Sequence, residues 1–242
     1  MTHILSATSS DTDKARLLAA SSPHTGDWLH APPIASVGLR LSDEAVRVAV
    51  AHRLGCKACE PHTCVCGRAV SAQGLHGLAC RRSGPRRQRH SQLNDILWRA
   101  FKRASVPAVK EPAGLSRNDG KHPDGVTLLS WAKGKPLAWD ITVPDTYADS
   151  HLADSATTAG AAADKAASNK VAKYRQIANS HIFVPVAIES AGTLNHQAVE
   201  LVQELGQRMT AVTEDTTYLF QRMSVALQRG NAVSFHSTFT TE

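Results

Sequence analysis

From His90 onward the apolar residues fall into two alternating periods. Leu93, Ile96, Leu97, Ala100 and Phe101 recur at intervals of three and four, which predicts a helix over residues 90–104. Val106 to Glu111 reads as a short strand. Two extended runs follow, Asp124-Gly-Val-Thr-Leu-Leu129 and Leu137-Ala-Trp-Asp-Ile-Thr-Val143. Lys133-Gly134-Lys135-Pro136 between them is a turn signal, so the pair predicts a hairpin. Residues 153–178 are rich in alanine and predict helix, with an interruption at Gly160. Ile182 to Ile188 is a further strand, whose Pro185 argues for an edge position or a bulge. Closing helices are predicted over 195–212 and 214–229. The order is helix, three strands, helix, strand, helices, which is an α/β (α+β) chain.

The first part of the chain is less regular. Thr12 to Ala20 predicts a short helix, and Pro23, Gly26 and Pro32-Pro33 break the pattern after it. Residues 42–55 read as a capped helix: Ser42 is the N-cap, Asp43 and Glu44 fill the first turn, and Gly55 is the stop. Residues 1–55 are therefore expected to be a helical leader or linker. With 242 residues, 42% of them hydrophobic, the chain can bury a fair-sized core. The net charge of +6 favours a polyanionic partner. An aromatic content of 5% argues against base stacking as the main source of nucleic-acid affinity. No run of about eighteen apolar residues is present, so neither a membrane span nor a membrane partner is expected. The N-terminus lacks the basic start and apolar core of a secretory signal.

The acids at 124 and 140 carry the chemistry. Asp124 alone would read as a turn cap after Pro123, and Asp140 alone as a solvated strand residue. Together they occupy neighbouring strands of one predicted hairpin. Carboxylates in a mostly apolar β segment are costly unless solvated, paired or bound to a cation. Two of them converging at a sheet end form a hard-oxygen site suited to Mg²⁺.

All five cysteines lie between Cys56 and Cys80, an odd number in one tight cluster. That reads as metal binding in a reducing compartment and not as a disulfide frame. Cys64, Cys66, His76 and Cys80 supply three thiolates and an imidazole, a set suited to structural Zn²⁺. Cys-x-Cys is tighter than the usual Cys-x₂-Cys, so Cys59 or His62 is an alternative to Cys64. Residues 56–85 have too little core to fold unaided, and metal would be required for their order. Arg81, Arg82, Arg86, Arg87, Arg89 and His90 then lead into the first predicted helix of the regular region. A solvated linker is the ordinary reading of such a run. Its position, between the cysteine cluster and the first regular helix, would instead suit sequence-independent phosphate contacts.

The acid pair, placed after one helix and before a lysine-bearing helix, resembles the PD-(D/E)xK nucleases of the restriction-endonuclease-like fold, with an αβββαβ core. The knuckle, the Arg-His helix start, Pro123-Asp124, Asp140 and Lys173-Tyr174 occur in an order that resembles the C-terminal part of non-LTR retrotransposon polyproteins of the restriction-like-endonuclease type. The resemblance spans roughly residues 56–190. It implies a leader or linker over 1–55, a zinc knuckle over 56–85, and a restriction-like endonuclease domain with C-terminal helices over 86–242. It implies that Asp124, Asp140 and the backbone carbonyl of Ile141 hold Mg²⁺ or Mn²⁺. Asp95, on the first predicted helix, and Glu111, on the first strand, are further candidate ligands of that ion.

The superfamily pattern expects a lysine two residues after the second acid, where this chain has Thr142. Some members supply that lysine from the next helix. Lys170 and Lys173, three apart on one helix face, fit that role, and Lys173 is the favoured one; Lys121 is a weaker option. The implied activity is metal-dependent nicking of a DNA target strand in the nucleus. The partners implied are DNA or the element's own RNA, and a reverse transcriptase encoded elsewhere. The missing lysine at Thr142 keeps an alternative open, a catalytically inactive zinc-knuckle nucleic-acid-binding module.

Overall fold

A computed structural model describes residues 10–80, 85–115, 122–213 and 218–239, with side chains left undescribed at 85 and 86. The helices and strands follow local signals closely where those signals are strong. After helix α1 (Asp11–Ser21), helix α2 (Asp43–Leu54) starts where the Ser42 hydroxyl accepts the Ala45 N–H, and ends at Gly55 in the left-handed region. Strands β1 (His62–Thr63) and β2 (Ala69–Val70) form a small hairpin, and the single turn of α3 (His76–Ala79) follows. The long helix α4 (Pro85–Arg103) comes next, then β3 (Ala108–Lys110), β4 (Gly125–Thr127) and β5 (Leu137–Thr142). Helices α5 (Leu152–Ser155) and α6 (Ala161–Lys173) precede β6 (Ile182–Ala187), and α7 (His196–Thr213) and α8 (Leu219–His236) complete the described elements.

The main sheet has the order β3-β4-β5-β6. The first three strands are antiparallel, and β6 lies parallel to β5 at the edge, where Pro185 is tolerated. The chain is thus a mixed α/β protein with a four-stranded mixed sheet. Lys133 and Gly134 both take positive φ, 51° and 74°, and Ala132 pairs with Lys135, the geometry of a tight primed turn. That turn sets the β4–β5 register at Gly125↔Trp139 and Val126↔Ala138. One pair further along, Asp124 stands opposite Asp140.

The sheet has two differently filled faces, because side chains alternate along each strand. Leu137, Trp139 and Ile141 of β5 meet Leu93, Leu97 and Phe101 of α4, and α7 and α8 close this core with Leu201, Leu205, Met223 and Leu227. On the other face Val126 and Ala138 pack with Tyr174 and Ile177. Ala163 and Ala167 bring α6 close to Ala187 of β6, which small side chains alone permit. The alanine-rich stretch is therefore a close-packing device. Its expected interruption at Gly160 is present, with φ of 83°.

Two helix boundaries differ from expectation. Helix α4 begins at Pro85 and not at 90, and α8 runs to His236 and not to 229. Arg89 of α4 lies against Gly230 of α8, where a β-carbon would sit 2.1 Å from the Arg89 stem. Gly230 is a contact point inside the helix and not its end. Helix α8 also packs Ala232 and Phe235 against Val48 and Ala51 of α2, and Val225 joins Trp28, Leu39 and Ala49. Contacts of this kind cross the boundary expected after residue 55. No helix among the described residues is long and apolar enough to cross a membrane.

His52 of α2 is buried beside the Phe235 ring, which it meets edge-on at 6.1 Å. Burial pushes its imidazole down to about 4, with the Arg47 charge adding to the effect. The folded pKa is thus below the unfolded one, so the unfolded chain takes the proton first as pH falls. Stability is complete above the unfolded value and declines as pH drops from there toward the folded one. Between pH 7 and pH 5 the loss assigned to this one group is about 2 kcal/mol. Urea unfolding at both pH values is expected to show the parent losing about that much more than His52→Leu; an equal loss in both proteins would remove the assignment.

Candidate metal centres and their surroundings

The acid site is built from three elements. Asp124 precedes β4, Asp140 lies in β5, and His90 projects from the second turn of α4. One ligand atom from each of the three lies within 4.8 Å of the others. Asp124 Oδ2 accepts the Ile141 N–H at 2.6 Å and sits 2.9 Å from His90 Nε2. Asp140 is almost fully buried, and its Oδ1 receives Lys170 Nζ at 2.5 Å. Two carboxylates are thereby faced by two nitrogen cations or potential cations. The Asp124 hydrogen bond holds the His90 imidazole above its usual range, against the opposing effect of burial.

Packing on the far face of the sheet fixes this geometry. The Trp139 ring covers Gly125, where a β-carbon would lie 2.1 Å from it. Its indole N–H donates to Asn94 Oδ1 at 2.9 Å, and Phe101 stacks on it at 4.6 Å. Asn94 was not among the predicted site residues, yet its amide also reaches the Asp124 carbonyl at 3.4 Å. On the acid face, the buried Glu189 carboxylate accepts the Ala163 N–H at 3.0 Å and the Thr146 hydroxyl at 2.9 Å. It caps the N-terminus of α6, where a negative charge is favoured. Burial still raises its pKa. Lys170 lies two turns along the same helix from Ala163, so this cap bears on where the lysine stands.

The lysine preference is corrected by helix phase. Lys170, not Lys173, reaches Asp140. Lys173 Nζ donates to Tyr174 Oη at 3.0 Å, and that hydroxyl donates to the His122 carbonyl at 2.7 Å. Lys173 thus supports the segment leading into Pro123-Asp124. Asp95 pairs with Lys110 at 2.5 Å in an exposed position, and the exposed Glu111 donates its backbone N–H to the Asp124 carbonyl. Neither carboxylate joins the acid cluster. Ile141 donates its backbone N–H to Asp124 Oδ2, which sets its backbone beside the two acids. Lys121 lies outside the described residues.

The expected arginine patch is also revised. Arg89 is buried, and its guanidinium donates to Asn231 Oδ1 at 2.7 Å and to the Leu78 carbonyl at 2.8 Å. A side chain held this way ties α4, α8 and the α3 turn together and cannot reach phosphate. Arg87 is exposed. Arg81 and Arg82 lie outside the described residues, as does the side chain of Arg86. His90 faces Asp124.

The second centre is the cysteine cluster. Cys64, Cys66, His76 and Cys80 place their ligand atoms within 4.8 Å of one another. Cys64 and Cys80 sulfurs are 3.8 Å apart, and Cys66 Sγ is 3.2 Å from His76 Nε2. A tetrahedral ion with Zn–S bonds of about 2.3 Å has an S···S edge of about 3.8 Å, so the four can hold zinc. The β1–β2 turn supplies the first two ligands: Cys64 N–H donates to the Arg68 carbonyl and Gly67 N–H to the Cys64 carbonyl. Burial pushes the Cys64 thiol up to about 11, whereas the Arg68 backbone N–H lowers that of Cys66. The alternates are accounted for elsewhere. Cys59 Sγ faces the Ser71 and Ala72 carbonyls, and His62 Nε2 meets the Thr238 hydroxyl at 2.9 Å while its ring stacks on Phe239.

No family model matches this sequence, and no curated protein of similar sequence was found. The functional reading therefore rests on the two centres and on what lies between them. A cleft of about 1010 Å³ separates the cysteine cluster from the loop after β5. Arg68, Gln73 and His76 line one wall, and Thr142, Tyr147 and Asn169 the other. Thr142 and Asn169 are the sequence neighbours of Ile141 and Lys170, so the cleft reaches the edge of the acid site.

Metal analysis of the purified chain is expected to give one equivalent of zinc. Cys64→Ser and Cys80→Ser should lose it, and Cys59→Ser and His62→Ala should retain it. Zinc loss from the second pair with retention in the first would assign the ligands the other way.

Proposed function

We propose that the chain is a metal-dependent DNA endonuclease whose catalytic residues are Asp124, Asp140 and Lys170, with the cysteine cluster holding a structural zinc ion. The observation that carries this reading is the convergence of both acids and the Lys170 ammonium at one end of β5. The order of α4, β3 to β5, α6 and β6 supports the αβββαβ core that the resemblance implies. The net charge of +6 supports a nucleic-acid substrate.

Asp124 and Asp140 offer the hard oxygens that a Mg²⁺ or Mn²⁺ ion needs, and such an ion would activate water and offset charge on the phosphate. The chain's own residues do the rest. Asp124 is aimed by the Ile141 N–H, which leaves its carboxylate one fixed orientation. Asp140 is held in a nearly solvent-free position, where its charge acts most strongly. Lys170 places an ammonium beside Asp140, on the sheet face that Thr142 shares. From there it can orient the attacking water or stabilise charge on the phosphate oxygens. The cleft beside Thr142 and Asn169 gives a strand room to approach.

Nuclear action on DNA, in concert with a reverse transcriptase encoded elsewhere, follows from the resemblance and is part of the same proposal. With Mg²⁺ or Mn²⁺ the purified protein is expected to nick supercoiled plasmid. Asp124→Asn and Asp140→Asn should abolish nicking while salt-sensitive DNA binding survives. Lys170→Met should slow it by about 100-fold or more, the usual cost of removing a charged catalytic donor. Lys173→Met should affect it much less. Binding without nicking in the parent would instead identify a nucleic-acid-binding module.

A further inference from the structure

We propose that His90 is a direct metal ligand of the acid site, and that it gives the site a preference for first-row transition cations, Mn²⁺ among them, over Mg²⁺. This rests on the reading of Asp124 and Asp140 as cation ligands. His90 Nε2 stands 2.9 Å from Asp124 Oδ2. Two neighbouring ligands on an octahedral ion with bonds of about 2.1 Å are separated by about 3.0 Å, so the pair already has the spacing of adjacent coordination positions. An Asp140 oxygen lies within 4.8 Å of both, close enough to complete a facial set with a small rotation.

The mounting of His90 is what a ligand requires. Its neighbour Arg89 is locked between Asn231 and the Leu78 carbonyl, with its stem against Gly230. Consecutive residues of a helix project about 100° apart, so anchoring Arg89 fixes the direction of His90. One turn on, Asn94 holds the same helix to the Asp124 carbonyl and the Trp139 indole. The Arg-His pair thus divides into an internal anchor and an outward ligand. Such an imidazole is poorly placed as a mobile phosphate contact and well placed as a fixed nitrogen donor.

Nitrogen donation has a chemical consequence. Mg²⁺ takes oxygen ligands and keeps its waters, whereas imidazole ligands favour transition cations. A His-Asp-Asp set therefore discriminates between ions that two carboxylates alone would accept more evenly.

The whole 242-residue chain, first supplied with one equivalent of zinc for the cysteine cluster and labelled with ¹⁵N-histidine, is titrated with Mn²⁺ and read by electron paramagnetic resonance. Pulsed spectra are expected to show a directly coordinated histidine nitrogen in the parent and none in His90→Gln. The variant should bind Mn²⁺ about 10-fold or more weakly, in the range by which lost metal-site residues lower affinity. Its Mg²⁺ affinity, from competition, should change far less. Mn²⁺ that binds through Asp124 and Asp140 without a nitrogen signal, or with the same affinity in His90→Gln, overturns the ligand role and leaves the acid site intact. Mn²⁺ binding that persists in the Asp124→Asn/Asp140→Asn double variant, or no binding in the parent, overturns the acid site itself and this proposal with it.

Discussion

The packing of Trp139 across Gly125 is the constraint on which the acid site depends. The two residues are register partners, and the ring can lie flat over β4 only because its partner has no side chain. Asn94 and Phe101 hold that ring from α4. Any slip of the β4–β5 pairing by one residue would turn every side chain of one strand to the other face. The large apolar contact on one face therefore forbids the slip that would separate Asp124 from Asp140 on the other. Core packing and site geometry are two faces of one register.

A second constraint joins the two centres. Helix α8 touches α2, α4 and the cysteine-bearing segment along its length. Gly74 and Gly77 lie so close to Phe235 that a β-carbon at either would collide with it or with its backbone. The Val65 N–H and His62 ring both engage Thr238, just past the end of α8. The cysteine cluster is thus set on the C-terminal helix, although its ligands lie far from that helix in sequence. Arg89 completes the link, bonding Asn231 of α8 and the α3 turn from within α4. The spacing between the two centres, and so the cleft between them, is fixed by buried contacts of this helix.

What was legible in the sequence was what local chemistry decides. Ser42 and Gly55 bound α2 because capping needs only neighbours. The Lys133-Gly134 turn signal between two extended runs put Asp124 and Asp140 on neighbouring strands of one hairpin, and the structure supplies the register that sets them opposite each other. The cluster of Cys64, Cys66, His76 and Cys80, which could hold a metal ion, likewise came from short spacings. What was not legible depends on distant partners. Arg89 looked like one more surface arginine because its partner Asn231 is 142 positions away. The last helix was expected to end at 229, one residue short of the contact between Gly230 and the Arg89 stem. Lys170 and Lys173 share a face in sequence terms, and only the seating of α6 on the sheet, through Glu189 and the small alanines, decides which one reaches Asp140.

That seating also explains how Thr142 can stand where a lysine is expected. Thr142 follows Asp140 by two residues on β5 and so points to the same face of the sheet. Helix α6 covers that face, and Lys170 extends from it to the Asp140 carboxylate. The ammonium group beside Asp140 therefore comes from the helix and not from the strand. It is not free to move far, because Asp140 is buried and an unpaired carboxylate there would be costly. The same argument applies to Asp124, which keeps the Ile141 amide and His90 as partners. Each acid thus carries its own polar partners before any ion arrives, which lets a pair of carboxylates stand side by side in a packed sheet without unfolding it.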